Sequence, residues 1–402
     1  MKKILATLLI LALALPIALS ACTDAGKTDP TGGTDADGNA VSSAGIDKSV
    51  IKVGVVHIGN PNEPGYSMAH DQGIIAMQMN LGLSDDQIRR KNNIPDSDAE
   101  KTKTAINELI EEGCNIIFGT SFNYMDTMET LAKDNPTVYF SHGTGYKSND
   151  TNFNNYFGRI YQARYLAGIA AGLKTVTGKI GYVAAMDISN SEVTGGINAF
   201  AKGVKAVNPD AQVYVKVTNT WFDLALESAT AEALLDLDCD VIAQHCDTTA
   251  PQIAAQNRQV WGCGYNTDMT EVAPDAHLTA PIWNWGVYYT TAAEAVINGT
   301  WKQLGNYFGG LNEGFIDISP LTKNVAPGTS EIVESVRTLI KDGTIAVFDG
   351  KQIQVSGTTV TVTDEALKDN SGNTIVEAGK ASLSDSTITG GINWYYENVI
   401  LS

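Results

Sequence analysis

Basic side chains are scarce in this sequence of 402 residues. It contains 27 Lys and Arg against 45 Asp and Glu, which gives a formal net charge of −18. Proteins that bind nucleic acids or anionic membrane surfaces use basic patches to neutralise phosphates. The charge balance therefore argues against nucleic acid and anionic lipid surfaces as partners.

Cysteine and histidine are also few, with five of each. Four cysteines lie in or beside apolar runs, and none forms a C-x-x-C pair: Cys114, Cys239, Cys246 and Cys263. We expect buried thiols, with a Cys246–Cys263 disulfide as the alternative. The histidines show no H-x-x-x-H spacing, so we expect no metal site and no cofactor.

Catalytic motifs are missing as well. The sequence has no G-x-S-x-G and no P-loop, and its glycine pairs read as isolated turns. His142 and His245, at the ends of strand-like runs, are the candidates for a general base, although buried loop histidines are common without such a role. We expect a protein that is not an enzyme; a nucleoside-processing enzyme stays open as the alternative.

Long apolar runs are absent beyond the N-terminus, so the N-terminal run is the predicted membrane element. Lys2 and Lys3 precede an apolar stretch at residues 4–15, and Leu19-Ser20-Ala21-Cys22 follows. This pattern indicates a signal peptide at residues 1–21 and resembles the bacterial lipobox, which predicts lipidation of Cys22. A secretory signal with a chance cysteine is the alternative. Residues 22–48 are rich in Gly, Asp, Thr and Ser and predict a flexible tether.

The remaining chain alternates strand-like apolar runs with stretches of helical spacing, which is typical of parallel sheets covered on both faces. The alternation pauses near residues 152–160 and then restarts. We predict two doubly wound parallel-sheet lobes with a hinge near residues 158–161 and a return near residues 281–285. Lobe 1 comprises residues 49–160 and 282–315, and lobe 2 comprises residues 161–281 and 316–349. Residues 350–402 are rich in Thr, Ser, Val and Gly. This composition predicts a β-rich extension, to which we assign no role.

Loops at the carboxyl ends of parallel strands converge on one crevice, and here these loops are rich in aromatic and amide residues. Such a crevice suits a flat heterocycle that stacks on aromatic faces and is hydrogen-bonded at its edge. The alternative is that these aromatics fill gaps in the core or pack the interface between the lobes. The predicted ligand-binding residues are Tyr66, Ser121, Phe122, Asp126, Trp221, Phe222, Asp247, Asn266, Trp283 and Asn284.

Several segments carry a family resemblance, which spans roughly residues 51–320. Gly158-Arg159-Ile160-Tyr161, followed by Tyr165-Leu166-Ala167-Gly168, and the stretches at residues 203–209 and 273–275 resemble the basic membrane protein family of substrate-binding lipoproteins. The resemblance implies a type I periplasmic-binding-protein fold, an ABC permease and its ATPase as partners, and a lipid-anchored location on the extracytoplasmic face. It also implies a purine held between Tyr66 and Trp221.

Two departures from the family pattern bear on the ligand. Asn266 stands where the family has an Asp that holds ribose hydroxyls, and Trp283 stands where nucleoside binders have a Lys. Both changes should disfavour a ribose, so we predict a purine nucleobase such as adenine. A purine nucleoside, another flat heterocycle such as riboflavin, and a role as a ligand sensor remain alternatives.

Overall fold

The structure is a computed structural model, and it describes residues 45–402. The predicted signal peptide, the lipidation site Cys22 and nearly all of the tether lie outside the described residues. Within residues 45–402, no helix is both long enough and apolar enough to span a bilayer.

The first half of the described chain alternates short strands with helices. Its elements are β1 (Val53–Val56), α1 (Tyr66–Leu81), β2 (Ile88–Lys91), α2 (Ala99–Glu111), β3 (Ile116–Gly119), α3 (Met125–Asp134), β4 (Tyr139–Gly143) and β5 (Phe153–Gly158). The next elements are α4 (Ile160–Lys174), β6 (Lys179–Ala184), α5 (Ser191–Val207), β7 (Gln212–Val217), α6 (Leu224–Leu235), β8 (Val241–His245), α7 (Ala250–Asn257), β9 (Trp261–Cys263) and β10 (His277–Thr279).

The last third of the described chain returns to the first sheet and ends in short strands. It contains β11 (Pro281–Trp283), α8 (Trp285–Ile297), α9 (Trp301–Leu304), β12 (Tyr307–Gly309), β13 (Ile316–Ile318) and α10 (Thr329–Lys341). The last elements are β14 (Lys351–Ser356), β15 (Thr359–Asp364), β16 (Leu367–Lys368), β17 (Thr374–Val376), α11 (Asp385–Gly390) and β18 (Val399–Leu401).

Two six-stranded sheets organise the molecule. The order is β12-β5-β4-β3-β1-β2 in the first sheet and β10-β9-β8-β6-β7-β18 in the second. All neighbouring strands in both sheets are parallel. The strands β1, β3 and β8 are fully buried because helices cover both faces of the sheets, and β1 and β3 are entirely apolar. This confirms the predicted fold of two doubly wound parallel-sheet lobes.

The described chain passes between the two sheets three times. The first crossing joins β5 to α4, the second runs from β10 through β11 to α8, and the third joins β12 to β13. Strands β11 and β13 pair in antiparallel fashion, so the second and third crossings are hydrogen-bonded to each other. The predicted pause at residues 152–160 was wrong, because residues 153–158 form the buried strand β5.

Residues 350–402 contain two small antiparallel hairpins, β14–β15 and β16–β17, and then extend to the second sheet. Strand β18 pairs with β7 and forms the edge of that sheet.

The cysteines of the described chain, Cys114, Cys239, Cys246 and Cys263, are buried free thiols. The expectation of buried thiols is therefore confirmed, and the structure contradicts the alternative of a Cys246–Cys263 disulfide.

Candidate functional site

A cavity of about 580 Å³ lies between the two lobes, at the carboxyl ends of their strands. Parallel strands place their following loops at one edge of each sheet, so loops from both sheets meet there. Seven of the ten predicted site residues line this cavity: Tyr66, Ser121, Phe122, Trp221, Phe222, Asp247 and Trp283. Its lining thus combines aromatic, hydroxyl and carboxylate groups from both lobes.

Two aromatic rings reach the cavity from different lobes. Tyr66 is the first residue of α1, and its hydroxyl donates a hydrogen bond to the carbonyl oxygen of Thr120 at 2.5 Å. Trp221 follows β7 and packs edge-on against His245, with ring centroids 5.8 Å apart. Both side chains are half-buried, which leaves ring surface available to a ligand between the lobes.

A third ring, that of Trp283, lies at the second crossing and is held by its neighbours. It stacks on Trp285 with centroids 4.5 Å apart and on Phe157 at 5.1 Å. Its indole N–H donates a hydrogen bond to the hydroxyl of Tyr265 at 3.2 Å. The side chain is only 5% exposed, so it forms a fixed wall of the cavity at the hinge.

Three carboxylates line the cavity, and no Lys, Arg or His of the described chain does so. Asp96 accepts hydrogen bonds from the Ser121 hydroxyl at 2.6 Å and from the Asn123 amide at 3.0 Å. Burial raises the pKa of Asp247 to about 7, and burial also raises the pKa of Glu192 to about 7. The cavity is therefore acidic, and two of its acids titrate near neutral pH.

Arg164, on α4, is buried beneath this acidic wall. Its guanidinium lies over the ring of Tyr265, 4.2 Å from the centroid. It also donates hydrogen bonds to the Tyr182 hydroxyl at 2.9 Å and to the Gln244 carbonyl at 3.1 Å. This positive charge acts to lower the pKa of Glu192, although burial outweighs it. Arg164 thus supports the cavity wall from behind and does not line it.

Three predicted site residues lie elsewhere. The side chain of Asp126, in the first turn of α3, is 79% exposed and forms an ion pair with Lys147 at 2.8 Å. Asn266 is buried behind the wall, where its amide donates to Asp247 at 2.8 Å. Asn284 is exposed and donates to the carbonyl of Gly314 at 2.9 Å. The structure thus assigns Asn266 to orienting Asp247, and places Asp126 and Asn284 outside the cavity.

Other lining residues were not predicted. Glu192 lies in the first turn of α5, which follows β6, and Tyr265 lies in the loop after β9. Both belong to segments that follow predicted strands and are therefore expected at the crevice. Their position along the chain could therefore have identified them. Asp96 follows β2, a strand of sequence IRRK that carries no apolar pattern, so the sequence offers no comparable signal for it.

The two histidines considered as general bases are both packed in the protein. The ring of His142 is within 3.0 Å of the Ser121 carbonyl and 3.1 Å of the Phe122 carbonyl, and burial lowers its pKa to about 4. His245 is fully buried, and burial lowers its pKa as well. In the part of the chain that the structure describes, no cluster of three or more His, Cys, Asp or Glu could hold a metal.

The fold of two parallel-sheet lobes is shared with solved structures of solute-binding proteins. An ABC transporter solute-binding protein from Conexibacter woesei has a similar fold, with a TM-score of 0.61 over 74% of this chain and 98% of that chain. Its sequence identity is 18%, so this likeness concerns the fold alone.

Residues 50–349 match the model of the Bmp family, described as ABC transporter substrate-binding protein PnrA-like, and the chain belongs to this family. This confirms the resemblance seen in the sequence. A purine-binding protein of Brucella abortus is 35% identical over 349 residues, which cover 87% of this chain and 93% of the relative. A Haloferax volcanii protein named for glucose binding in an ABC transporter is 33% identical over 333 residues, or 83% of each chain.

Family membership establishes the general role of the chain. It is an ABC transporter substrate-binding protein of the PnrA-like type, which implies a small-molecule ligand and a permease partner. The family is one of extracytoplasmic solute-binding proteins.

Proposed function

We propose that the cavity binds a purine nucleobase, with adenine as the expected ligand, and that the protein delivers it to the permease of an ABC importer. The observation that carries this proposal is that Tyr66 and Trp221, one from each lobe, line a cavity together with carboxylates, and that no basic side chain among the described residues lines it. The name of the Brucella relative, which describes purine binding, supports the same ligand class.

The chemistry of the lining suits an aminopurine. Stacking a base on an aromatic side chain contributes about 1–3 kcal/mol per base. The carboxylates of Asp247 and Glu192 accept hydrogen bonds, and adenine offers an exocyclic amine and a ring N–H as donors. An anionic ligand would meet three acids and, within residues 45–402, no basic side chain that lines the cavity. Phosphorylated purines are therefore disfavoured.

A purine nucleoside is the second candidate, because a cavity of about 580 Å³ has room for more than a base. The position of Trp283 favours the base. Its indole is held in the cavity wall by stacking on two aromatic rings and by a hydrogen bond to Tyr265. A ribose that needed this space would have to displace the indole from well-packed neighbours, at a free-energy cost.

Calorimetric titration with adenine and then adenosine tests the proposal, after any co-purified ligand has been removed by unfolding and refolding. We expect adenine to bind tightly and adenosine to bind at least about tenfold more weakly, a difference of about 1.4 kcal/mol. A preference for adenosine would establish the second candidate. If neither compound binds, the purine assignment is wrong, and the family's role as a solute binder is unaffected.

We also propose that Cys22 carries the lipid that anchors the protein at the outer face of the membrane. The support is the charged and apolar stretch that precedes Leu19-Ser20-Ala21-Cys22. Mass spectrometry of the N-terminal peptide from the exported protein tests this, since an unmodified Cys22 thiol would contradict it.

A further inference from the structure

The C-terminal segment, residues 350–402, lies beyond the part of the chain that matches the family model, yet it is bound closely to lobe 2. Strand β18 pairs with β7. The side chain of Asn198, on α5, donates to the carbonyl of Trp394 at 2.8 Å and accepts from the backbone N–H of Tyr396 at 2.8 Å. These bonds fix the segment to lobe 2.

The same segment reaches the first crossing between the lobes through Asp385, the first residue of α11. Its carboxylate accepts hydrogen bonds from two guanidinium nitrogens of Arg159, at 2.6 and 3.2 Å, and from the hydroxyl of Tyr161 at 3.0 Å. Arg159 lies between β5 and α4. Two-point contacts between arginine and a carboxylate fix orientation as well as distance.

Arg159 is also bonded to lobe 1. Its third guanidinium nitrogen donates to the carbonyl of Phe308 at 2.8 Å, and the guanidinium lies 5.1 Å from the centroid of the Phe308 ring. Its backbone N–H donates to the carbonyl of Gly309 at 2.7 Å. Both partners belong to β12, at the edge of the first sheet. One side chain therefore joins the C-terminal segment, held on lobe 2, to a strand of lobe 1.

The lobes are in contact across the cavity in this arrangement. A methyl group added at Gly65 of lobe 1 would lie 2.5 Å from the backbone carbonyl oxygen of Asp247 of lobe 2. The contacts of Arg159 with Asp385 and Phe308 are thus contacts of lobes that are closed on each other. Any free energy that these contacts lose when the lobes separate favours the closed arrangement.

We propose that Asp385 is a positioning residue for ligand binding: acting through Arg159, the C-terminal segment stabilises the closed arrangement of the lobes and slows ligand release. The proposal rests on the solute-binding role of the family, and it depends on the proposed ligand only for the choice of adenine as a probe.

The test compares the full chain with three variants. Asp385→Asn removes the charge, and Asp385→Glu keeps it. Glu397→Gln is the matched control, because Glu397 joins the same segment to Lys205 of α5 at 2.6 Å without contacting the crossing. Stopped-flow fluorescence of the tryptophans would follow adenine association and dissociation in each protein.

We expect Asp385→Asn to raise the dissociation rate by about threefold to tenfold, as for the loss of one charge-assisted hydrogen-bonded pair. Association should change by less than about twofold, since binding differences among variants are carried mainly by dissociation. Asp385→Glu should restore most of the slow dissociation, and Glu397→Gln should match the wild type. An unchanged dissociation rate in Asp385→Asn would overturn the proposal.

Hydrogen exchange in the ligand-free chain gives a readout that does not depend on adenine. The backbone amide of Arg159, bonded to Gly309, should exchange faster in Asp385→Asn than in the wild type and in Glu397→Gln. Faster exchange throughout, including β1, would show a loss of global stability and contradict a local role. If the wild type does not bind adenine, the proposed ligand fails and the exchange data alone decide this inference.

Discussion

Trp221 is the lobe 2 side chain on which the proposed stacking of the ligand depends. It is half-buried and packs edge-on against His245. We expect Trp221→Ala to weaken adenine binding about tenfold or more, because one stacking face contributes about 1–3 kcal/mol. Titration calorimetry of the variant measures the effect, and thermal unfolding should show that the fold is retained.

Trp261→Ala provides the comparison for this prediction. Trp261 is another half-buried tryptophan of lobe 2, but it lies on β9, under the ammonium group of Lys174 at 3.7 Å, and does not line the cavity. Its loss should lower stability and leave adenine affinity near the wild-type value. Equal adenine affinity in Trp221→Ala and Trp261→Ala would show that Trp221 does not contribute to the binding site.

At the scale of elements, the start of α1 brings the two lobes together. Gly65 precedes the helix with φ of 140°, a backbone conformation that favours glycine, and it faces the carbonyl of Asp247 in lobe 2. We expect Gly65→Ala to weaken adenine binding by about tenfold or more, because a 2.5 Å contact must be relieved before the lobes can close. Calorimetry measures this effect.

Gly82→Ala, at the other end of the same helix, separates closure from backbone strain. Gly82 also has a positive φ, of 60°, but the nearest atom to an added methyl group is the Lys48 ammonium at 3.9 Å. Both variants should lose about 1–3 kcal/mol of stability from the strained backbone. Only Gly65→Ala should lose affinity, and a similar loss in Gly82→Ala would refute the role of Gly65 in closure.

For the whole molecule, the acids of the cavity make stability depend on pH. Burial raises the pKa of Asp247 and Glu192 to about 7, from ordinary values of about 4. The ligand-free folded chain therefore keeps protons that the unfolded chain releases. The contribution of these acids to the free energy of unfolding is fully present below about pH 4, falls as the pH rises, and is lost above about pH 7.

Asp247→Asn and Glu192→Gln together should remove this contribution. The free energy of unfolding of the double variant minus that of the wild type should therefore increase as the pH rises from 5 to 8. Urea unfolding of the ligand-free proteins measures this difference. Buried histidines such as His142 and His277 act in the opposite direction, because burial lowers their pKa, so the test is the difference between the proteins.

The sequence by itself determined the class of fold. Strands such as β1 and β3 lie between layers of helices, so they are short apolar runs that a pattern identifies. Strand β5 has the sequence FNNYFG, and no pattern indicates a buried strand there. Its asparagines are buried because Asn154 donates to the Gly305 carbonyl at 2.8 Å and Asn155 donates to the Lys147 carbonyl at 3.1 Å. Those partners exist only in the tertiary structure.

Part of the candidate site could likewise be predicted from the sequence, and part could not. The position of aromatic residues after strands predicted Tyr66 and Trp221, because parallel strands deliver their loops to one edge. Trp283 was predicted on the same ground, but it is the last residue of β11, a strand of the crossing that pairs in antiparallel fashion. Only the tertiary structure decided that Asn266 orients Asp247 and that Arg164 lies beneath the wall. Local sequence sets where a strand ends, whereas hydrogen bonds and charge contacts depend on which distant groups the packed fold brings within a few ångströms.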